Sequence, residues 1–366
     1  MSRVSRTNPC ILFPAMAVIV ILGTLVASEL LLRVSQQVSV ESIHTASEDQ
    51  FQKIPGAFDP LQDLVEKPHP KLVHHVSINS LGYRGPEISR RKQKGTVRVL
   101  CLGDSGTYGH YVNEEETFPH YLQERFRQAG FPVEVINAGV PDTTIIDHLY
   151  YLDRSLEIQP DIVVLTFSEN DITDLAKDIP TYVTLERNRT LKSSSIIGPI
   201  YALVRDTALF NFALKVRAMI QQVTPRSAPT IDLSHSMRQE SADESSWVRY
   251  GASLKEMKQK LDSLGILLVF NAFPSHFRIP PDGGEKNSLE GQLPRVESLA
   301  RNLGIQTVNL LTPFLDSHLT KNDMYLLPYD GHSGRRGYQI QADTIFENIK
   351  IYVQRVGSRG ATEGRP

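Results

Sequence analysis

Five short, almost continuously apolar runs constrain this chain more than any other feature. They occupy 97–103 (VRVLCLG), 132–137 (PVEVIN), 161–167 (DIVVLTF), 266–271 and 305–309. Runs of this length that do not alternate between apolar and polar are buried on both faces, as strands of a parallel sheet are. Helical stretches are expected after them, over 116–129, 144–158, 247–264, 288–302 and 335–353. Repetition of strand then helix implies the α/β class, with a five-stranded parallel sheet covered by helices on both faces. Ligands of such sheets sit at the carboxyl ends of the strands, so those ends should carry the chemistry.

Apolar residues are also concentrated in an uncharged run over 10–28, CILFPAMAVIVILGTLVAS. As a helix rising about 1.5 Å per residue it would cover about 28 Å, close to the thickness of a bilayer core. Arg3 and Arg6 precede it, which favours a cytoplasmic N-terminus and an exported body, although Arg33 stands on the other flank. The sequence is therefore expected to open with a cytoplasmic tip and a single transmembrane signal-anchor over 1–33. The alternative is a cleaved signal peptide ending near Val26-Ala27-Ser28. A polar stalk is expected over 34–78 and a catalytic domain over 79–356. That domain carries an insertion or cap over 174–246, and a disordered tail follows over 357–366. Within the insertion, 196–223 is apolar but interrupted by Arg205, Asp206, Lys215 and Arg217. It reads as a helical cap, or as a lid or membrane-surface helix.

Charge narrows the partners. The chain has 366 residues with 39 Lys+Arg against 41 Asp+Glu, a formal charge of −2, so it lacks the basic footprint expected for nucleic acid. Its two cysteines, Cys10 and Cys101, exclude a disulfide framework and thiolate-rich metal sites. His110, His120, His148 and His74-His75 lack ligand spacing, so no metal site is expected. Asn188-Arg189-Thr190 is a formal glycosylation sequon.

Four strand ends carry candidate chemistry. After the first run, Gly103-Asp104-Ser105-Gly106 places a hydroxyl on a tight turn before a helix, where it serves either as nucleophile or as part of a cap. After the second, Gly139 offers a backbone N–H, or merely permits the turn. After the third, Asn170 can donate its amide to an oxyanion, or cap the next helix. Before the last helix, Asp330-Gly331-His332 can pair acid and imidazole, leaving Nε2 as a base, or can be an exposed loop pair. His276, after the fourth run, either lines the pocket or is structural. Together, nucleophile, base, orienting acid and oxyanion donors are the inventory that acyl transfer requires.

This ordered set resembles the successive blocks of the SGNH/GDSL hydrolase family: GDS at 103–105, Gly139, Asn170 within END, and Asp330/His332. The lead-in NSLGYRGPE (79–87) and the continuation GDSGTYGHYVNEEETFP resemble its membrane-anchored members. The resemblance covers roughly 79–353, with the insertion poorly matched. It implies a three-layer α/β/α, flavodoxin-like fold and ester chemistry without metal or cofactor. It makes Ser105 the nucleophile, His332 the base and Asp330 its orienting acid. The Ser105 and Gly139 N–H groups and the Asn170 side chain would form the oxyanion hole. Three positions depart from the pattern. Ser168 stands where Gly is usual, only Gly331 separates acid from base, and Gly106 follows the nucleophile where a larger residue is frequent.

The expected function is a membrane-tethered serine esterase acting on an extracytoplasmic glycan or lipid ester. An O-acyltransferase modifying envelope polysaccharide would use the same residues, differing in whether water or a sugar hydroxyl resolves the acyl-enzyme. A non-catalytic binding module on the same fold is the reading from another class.

Overall fold

The computed structural model describes residues 9–34, 55–69, 72–176, 179–192, 194–204, 207, 209, 244–279 and 292–362. A large part of the expected insertion over 174–246, including 210–243, lies outside them.

The chain separates into two compact units, one formed by Met1–Ile43 with Thr190–Gln239 and the other by His44–Arg189 with Glu240–Pro366. In the first, helices α1 (Pro9–Val34) and α7 (Ile197–Val204) are described, and the Leu209 N–H donates to the Glu29 carboxylate at 2.8 Å. Val20, Leu25 and Leu31 on α1 and Ile200 and Leu203 on α7 are exposed. Among the described residues no helix is long and apolar enough to cross a membrane. The side chains described without interruption in α1 run only from Val20 to Leu32, so the span expected over 10–28 falls partly outside them.

The second unit is built on β3 (Val97–Gly103), β4 (Val133–Gly139), β5 (Ile162–Phe167), β6 (Leu267–Ala272) and β7 (Gln306–Asn309). All neighbours are parallel, in the order β4-β3-β5-β6-β7, so the expected five-stranded sheet is present. The pleat sends alternate residues to opposite faces. Leu100, Leu102, Val163, Leu165 and Phe270 pack on α4 (Ile145–Ser155), α8 (Glu244–Ser263) and α9 (Gln292–Asn302) through Leu152, Leu254 and Val296. Val99, Cys101, Val164 and Val269 face α3 (Phe118–Gln128) and α12 (Arg335–Thr362) through Phe118, Leu122, Phe126, Tyr338 and Ile345. Both clusters are almost wholly buried, which gives the three layers.

Three boundaries differ from the sequence reading. The stretch 34–78 is not all stalk, because β1 (Gln62–His69) and β2 (Leu72–Ile78) form an antiparallel hairpin whose Val76 and Ile78 bury against Tyr108. The tail expected to be disordered from 357 continues as helix to Thr362. The start of the expected insertion belongs to the second unit: in α6 (Thr181–Lys192), Tyr182 N–H donates to Asp147 at 2.8 Å. In the same helix, buried Arg189, the central residue of the sequon, donates to the Ala57 carbonyl at 2.8 Å.

Candidate active site

The strand ends converge on a four-residue helix, α2 (Ser105–Tyr108), that follows β3 directly. Asp104 caps it by accepting the Gly106 N–H at 2.9 Å, a bond that satisfies one of the first orphan donors of the turn. The capping carboxylate is buried, and the Ser168 hydroxyl from the end of β5 donates to the same oxygen at 2.9 Å. Ser168, which departs from the usual Gly, thus adds a hydrogen bond to a charge that burial would otherwise penalise. Gly139 is paired in register with Gly103 and lies directly against α2. A Cβ there would come within 2.1 Å of the Tyr108 nitrogen, so only glycine lets β4 pass this close.

Ser105 meets the loop ahead of α12. The His332 Nε2 lies 2.8 Å from the Ser105 Oγ, and Nδ1 lies 2.5 Å from Asp330 Oδ1. The His332 backbone N–H donates to the same Asp330 oxygen at 2.7 Å. The single spacer Gly331 therefore suits the pair, because an Asp side chain readily accepts from the backbone two residues ahead in an Asx-type turn. With Nδ1–H given to Asp330, the Nε2 lone pair faces the Ser105 hydroxyl. Burial opposes protonation of His332, but the bond to Asp330 and its charge outweigh burial and hold the imidazole above its ordinary range. Burial likewise raises Asp330, and the same bond more than reverses this and lowers it.

The two remaining predicted donors are differently placed. The Gly139 N–H donates to the Asn137 Oδ1 at 3.1 Å. Asn170 is exposed at the start of α5 (Asp171–Asp174), and its amide donates to Asp174 at 2.9 Å. Ser105, His332 and Asp330 are thus brought into contact, whereas Gly139 and Asn170 stand at neighbouring strand ends with those donors turned to other groups.

Several residues missed by sequence reading shape the surroundings. Arg84, from the lead-in, is buried and donates to the carbonyls of Tyr108 (2.9 Å), Gly109 (2.7 Å) and Val112 (2.7 Å) and to Glu114 (2.9 Å). Its five donors in a rigid fork suit a loop with several orphan carbonyls. That loop presents His110, 5.0 Å from the His332 ring, and Tyr111, which meets the same ring edge-on at 5.9 Å. Burial pushes His110 down to about 4, and His332 adds to the effect, so this second imidazole is neutral beside the first. Tyr111 holds a left-handed φ of 61°, a strained backbone state for a bulky residue of the kind often found at functional sites. On the hairpin, Glu66 accepts from Tyr108 Oη at 3.1 Å and lies 2.7 Å from His74 Nε2. The sequence signals for these groups were faint, since a lone Arg or Glu among polar neighbours has no period.

One comparison with known proteins shows the family. The model of the GDSL-like Lipase/Acylhydrolase family matches residues 101–340, well over half of the chain. No curated protein sequence matches. Among solved structures, the chain is similar to an acetyl xylan esterase, AlAXEase, at 19% identity and a TM-score of 0.42, covering 69% of this chain and 100% of that one. It is similar to the psychrotrophic esterase EstA from Pseudoalteromonas sp. at 15% identity and a TM-score of 0.39, covering 70% and 98%. It is also similar to a GDSL-like lipase from Bacteroides thetaiotaomicron at 13% identity and a TM-score of 0.36, covering 72% and 93%. On the extent of the family match, with GDS at the end of β3 and the Asp330/His332 loop near its far boundary, the chain belongs to the GDSL-like lipase/acylhydrolase family.

Proposed function

We propose that this protein is a serine esterase that forms an acyl-enzyme on Ser105. The observation that carries the reading is the unbroken line from Ser105 Oγ through both nitrogens of His332 to Asp330, at 2.8 and 2.5 Å. In the acylation step, Ser105 Oγ attacks the ester carbonyl carbon while its proton passes to His332 Nε2. Asp330 holds the ring and offsets the charge of the imidazolium. The carbonyl oxygen becomes an oxyanion, stabilised by the N–H groups of Ser105 and Gly139 and the Asn170 amide. Collapse breaks the bond to the leaving alcohol, which takes its proton from Nε2. Water, deprotonated by the same nitrogen, then releases the acid and restores Ser105.

The substrate in this reading is an ester on an extracytoplasmic glycan or lipid, and the protein is held at the membrane by its N-terminal helix. The uncharged run over 10–28 after Arg3 and Arg6 supports that placement, as do the exposed apolar side chains of α1. Two measurements test the proposal. The full chain in detergent should take up a fluorophosphonate and cleave a panel of aryl esters, and Ser105→Ala should do neither. An unlabelled wild-type chain defeats the esterase reading. Recovery of the full chain in the soluble fraction, with no fragment floating with vesicles, defeats the anchor.

A further inference from the structure

The loop after β6, Pro274 to Arg278, takes no part in the chemistry proposed for Ser105, yet it touches two of the strand-end blocks that do. On one side its Ser275 hydroxyl donates to Glu169, and Arg278 Nε donates to the other Glu169 oxygen at 2.8 Å. The Arg278 and Glu169 side chains are only 11% and 9% exposed, so this is an inner pair rather than a solvated one. Glu169 stands between Ser168, whose hydroxyl holds the Asp104 cap, and Asn170. On the other side the His276 ring lies against Gly331, the single residue between acid and base. A Cβ on Gly331 would come within 2.8 Å of His276 Cε1 and 3.0 Å of Nδ1. The contact is braced from behind. Tyr325 Oη donates to the Pro274 carbonyl at 2.8 Å, Tyr325 bridges to Ser333, and the Leu326 N–H donates to the His332 carbonyl at 2.9 Å. The Tyr325 ring also stands 5.9 Å from His276.

We propose that this loop is a strut between the Glu169 and Asp330–His332 blocks, and that His276 is a positioning residue that sets the base by packing on Gly331. Asp330 Oδ1 accepts both the backbone N–H and Nδ1 of His332, so the peptide plane at Gly331 fixes where both donors point. A ring seated on that plane holds it in one position, and a side chain at 331 would push the ring away, so glycine lets the two pack this closely. Arg278 and Ser275 anchor the other end to Glu169. Burial and the Lys321 charge lower His276 by more than its hydrogen bond to the Gly331 backbone and the Asp330 charge raise it. The groups that face His332 electrostatically are Asp330, Asp104, Asp142, His110 and His276 itself, and a change at 276 leaves the other four in place.

The inference rests on the esterase reading, and its test separates the two. The full chain in detergent is labelled with a fluorophosphonate across pH, for wild type, His276→Ala, His276→Phe and Gly331→Ala, with thermal unfolding followed in parallel. Displacement of catalytic groups by about 1 Å costs up to about 100-fold in rate. His276→Ala and Gly331→Ala should therefore slow labelling about 10- to 100-fold, with KM for a short aryl ester unchanged. Their acid limb should move to lower pH, because His332 bonds Asp330 less well. His276→Phe, which keeps a flat ring over Gly331, should recover most of the rate and the wild-type limb. If His276→Ala does not fold, Arg278→Lys loosens the other end and should show the same shift in weaker form. Labelling of His276→Ala at the wild-type rate and with the wild-type limb overturns the strut alone. A wild-type chain that never labels overturns the esterase reading and the strut with it.

Discussion

Ser105, His332 and Asp330 touch one another directly, whereas Gly139 and Asn170 turn donors to Asn137 and Asp174. The first group spans more than two hundred residues of sequence, yet each member is fixed by a bond to the next. The second group lies beyond the ends of an edge strand, β4, and the central strand, β5, held by neighbours no more than four residues away. A contact already formed between nucleophile, base and acid needs no rearrangement before proton transfer. Oxyanion donors act only when aimed at the developing charge, so those of Gly139 and Asn170 have to turn from their present partners as the complex forms. The contrast gives an order of sensitivity: changes in the contacting set should be costly, and changes in the donor set should be graded.

The largest effect is expected at Ser105. Replacing it by Ala should lower ester turnover by about 10⁴- to 10⁶-fold, because members of such a set act as a unit. His332→Ala should match it, and the double variant should be no worse than either single one. Additive losses in that cycle, measured as kcat/KM, would break the contact set into independent groups.

Asp330→Asn comes next, with a loss of about 10⁴-fold. It also carries a pH signature. His332 must be neutral to accept the Ser105 proton, and Asp330 holds its pKa above the ordinary value, so wild-type kcat/KM should fall as pH drops through a value above about 6.5. Removing the carboxylate charge takes away the main stabilisation of the imidazolium. The limb should then shift to lower pH while the plateau falls. A limb that stays put would assign the titration to another group.

The donor set is expected to give smaller numbers. Asn170→Ala should cost about 10²- to 10³-fold in kcat without lowering the unfolding temperature, since the side chain is exposed and its amide bonds only locally. If its loss is as large as that of Asp330→Asn, the distinction between the two sets fails. Asp174→Ala frees the amide and should cost less, about 10-fold, since a hydrogen bond to a charged carboxylate, at its lower range of about 1.5 kcal/mol, orients the donor without supplying it.

These contrasts bear on what could be read from sequence. β3 and β5 were legible because both of their faces are buried, so their apolar runs are unbroken, and the residues that end them project toward the site. The hairpin Gln62–Ile78 was not. Its inward positions include Glu66 and His74, which pair with each other, Glu66 also accepting from Tyr108, and a charged inward residue looks like a solvated one until its partner is known. Arg84 was hidden for the same reason, since its carbonyl partners on Tyr108, Gly109 and Val112 carry no sequence signal. The Ser105, Asp330 and His332 positions were legible as a set in order along the chain. The present partners of Gly139 and Asn170 were not, because a backbone N–H or a terminal amide can turn to any acceptor within reach.

The smallest effect, and the one that most sharpens the comparison, is expected from Ser168→Gly. This change moves the chain toward the pattern it resembles, so similarity alone predicts neutrality or a gain. The structure predicts a loss of stability instead. Ser168 Oγ donates at 2.9 Å to the buried Asp104 carboxylate, whose other short bond comes from Gly106 N–H. Deleting one hydrogen bond to a charged, buried acceptor costs about 1.5–3 kcal/mol. In a unit of this size that amounts to about 3–12 °C of unfolding temperature, at about 2–4 °C per kcal/mol. Turnover should change by less than about 3-fold, because α2 keeps its cap and the His332 contact to Ser105 does not pass through Ser168. Calorimetry of the wild-type chain and Ser168→Gly side by side, at matched detergent, checks this directly. An unchanged melting temperature would mean that water replaces the hydroxyl at Asp104. A large fall in kcat would mean that the cap, and not only the contact set, fixes the nucleophile.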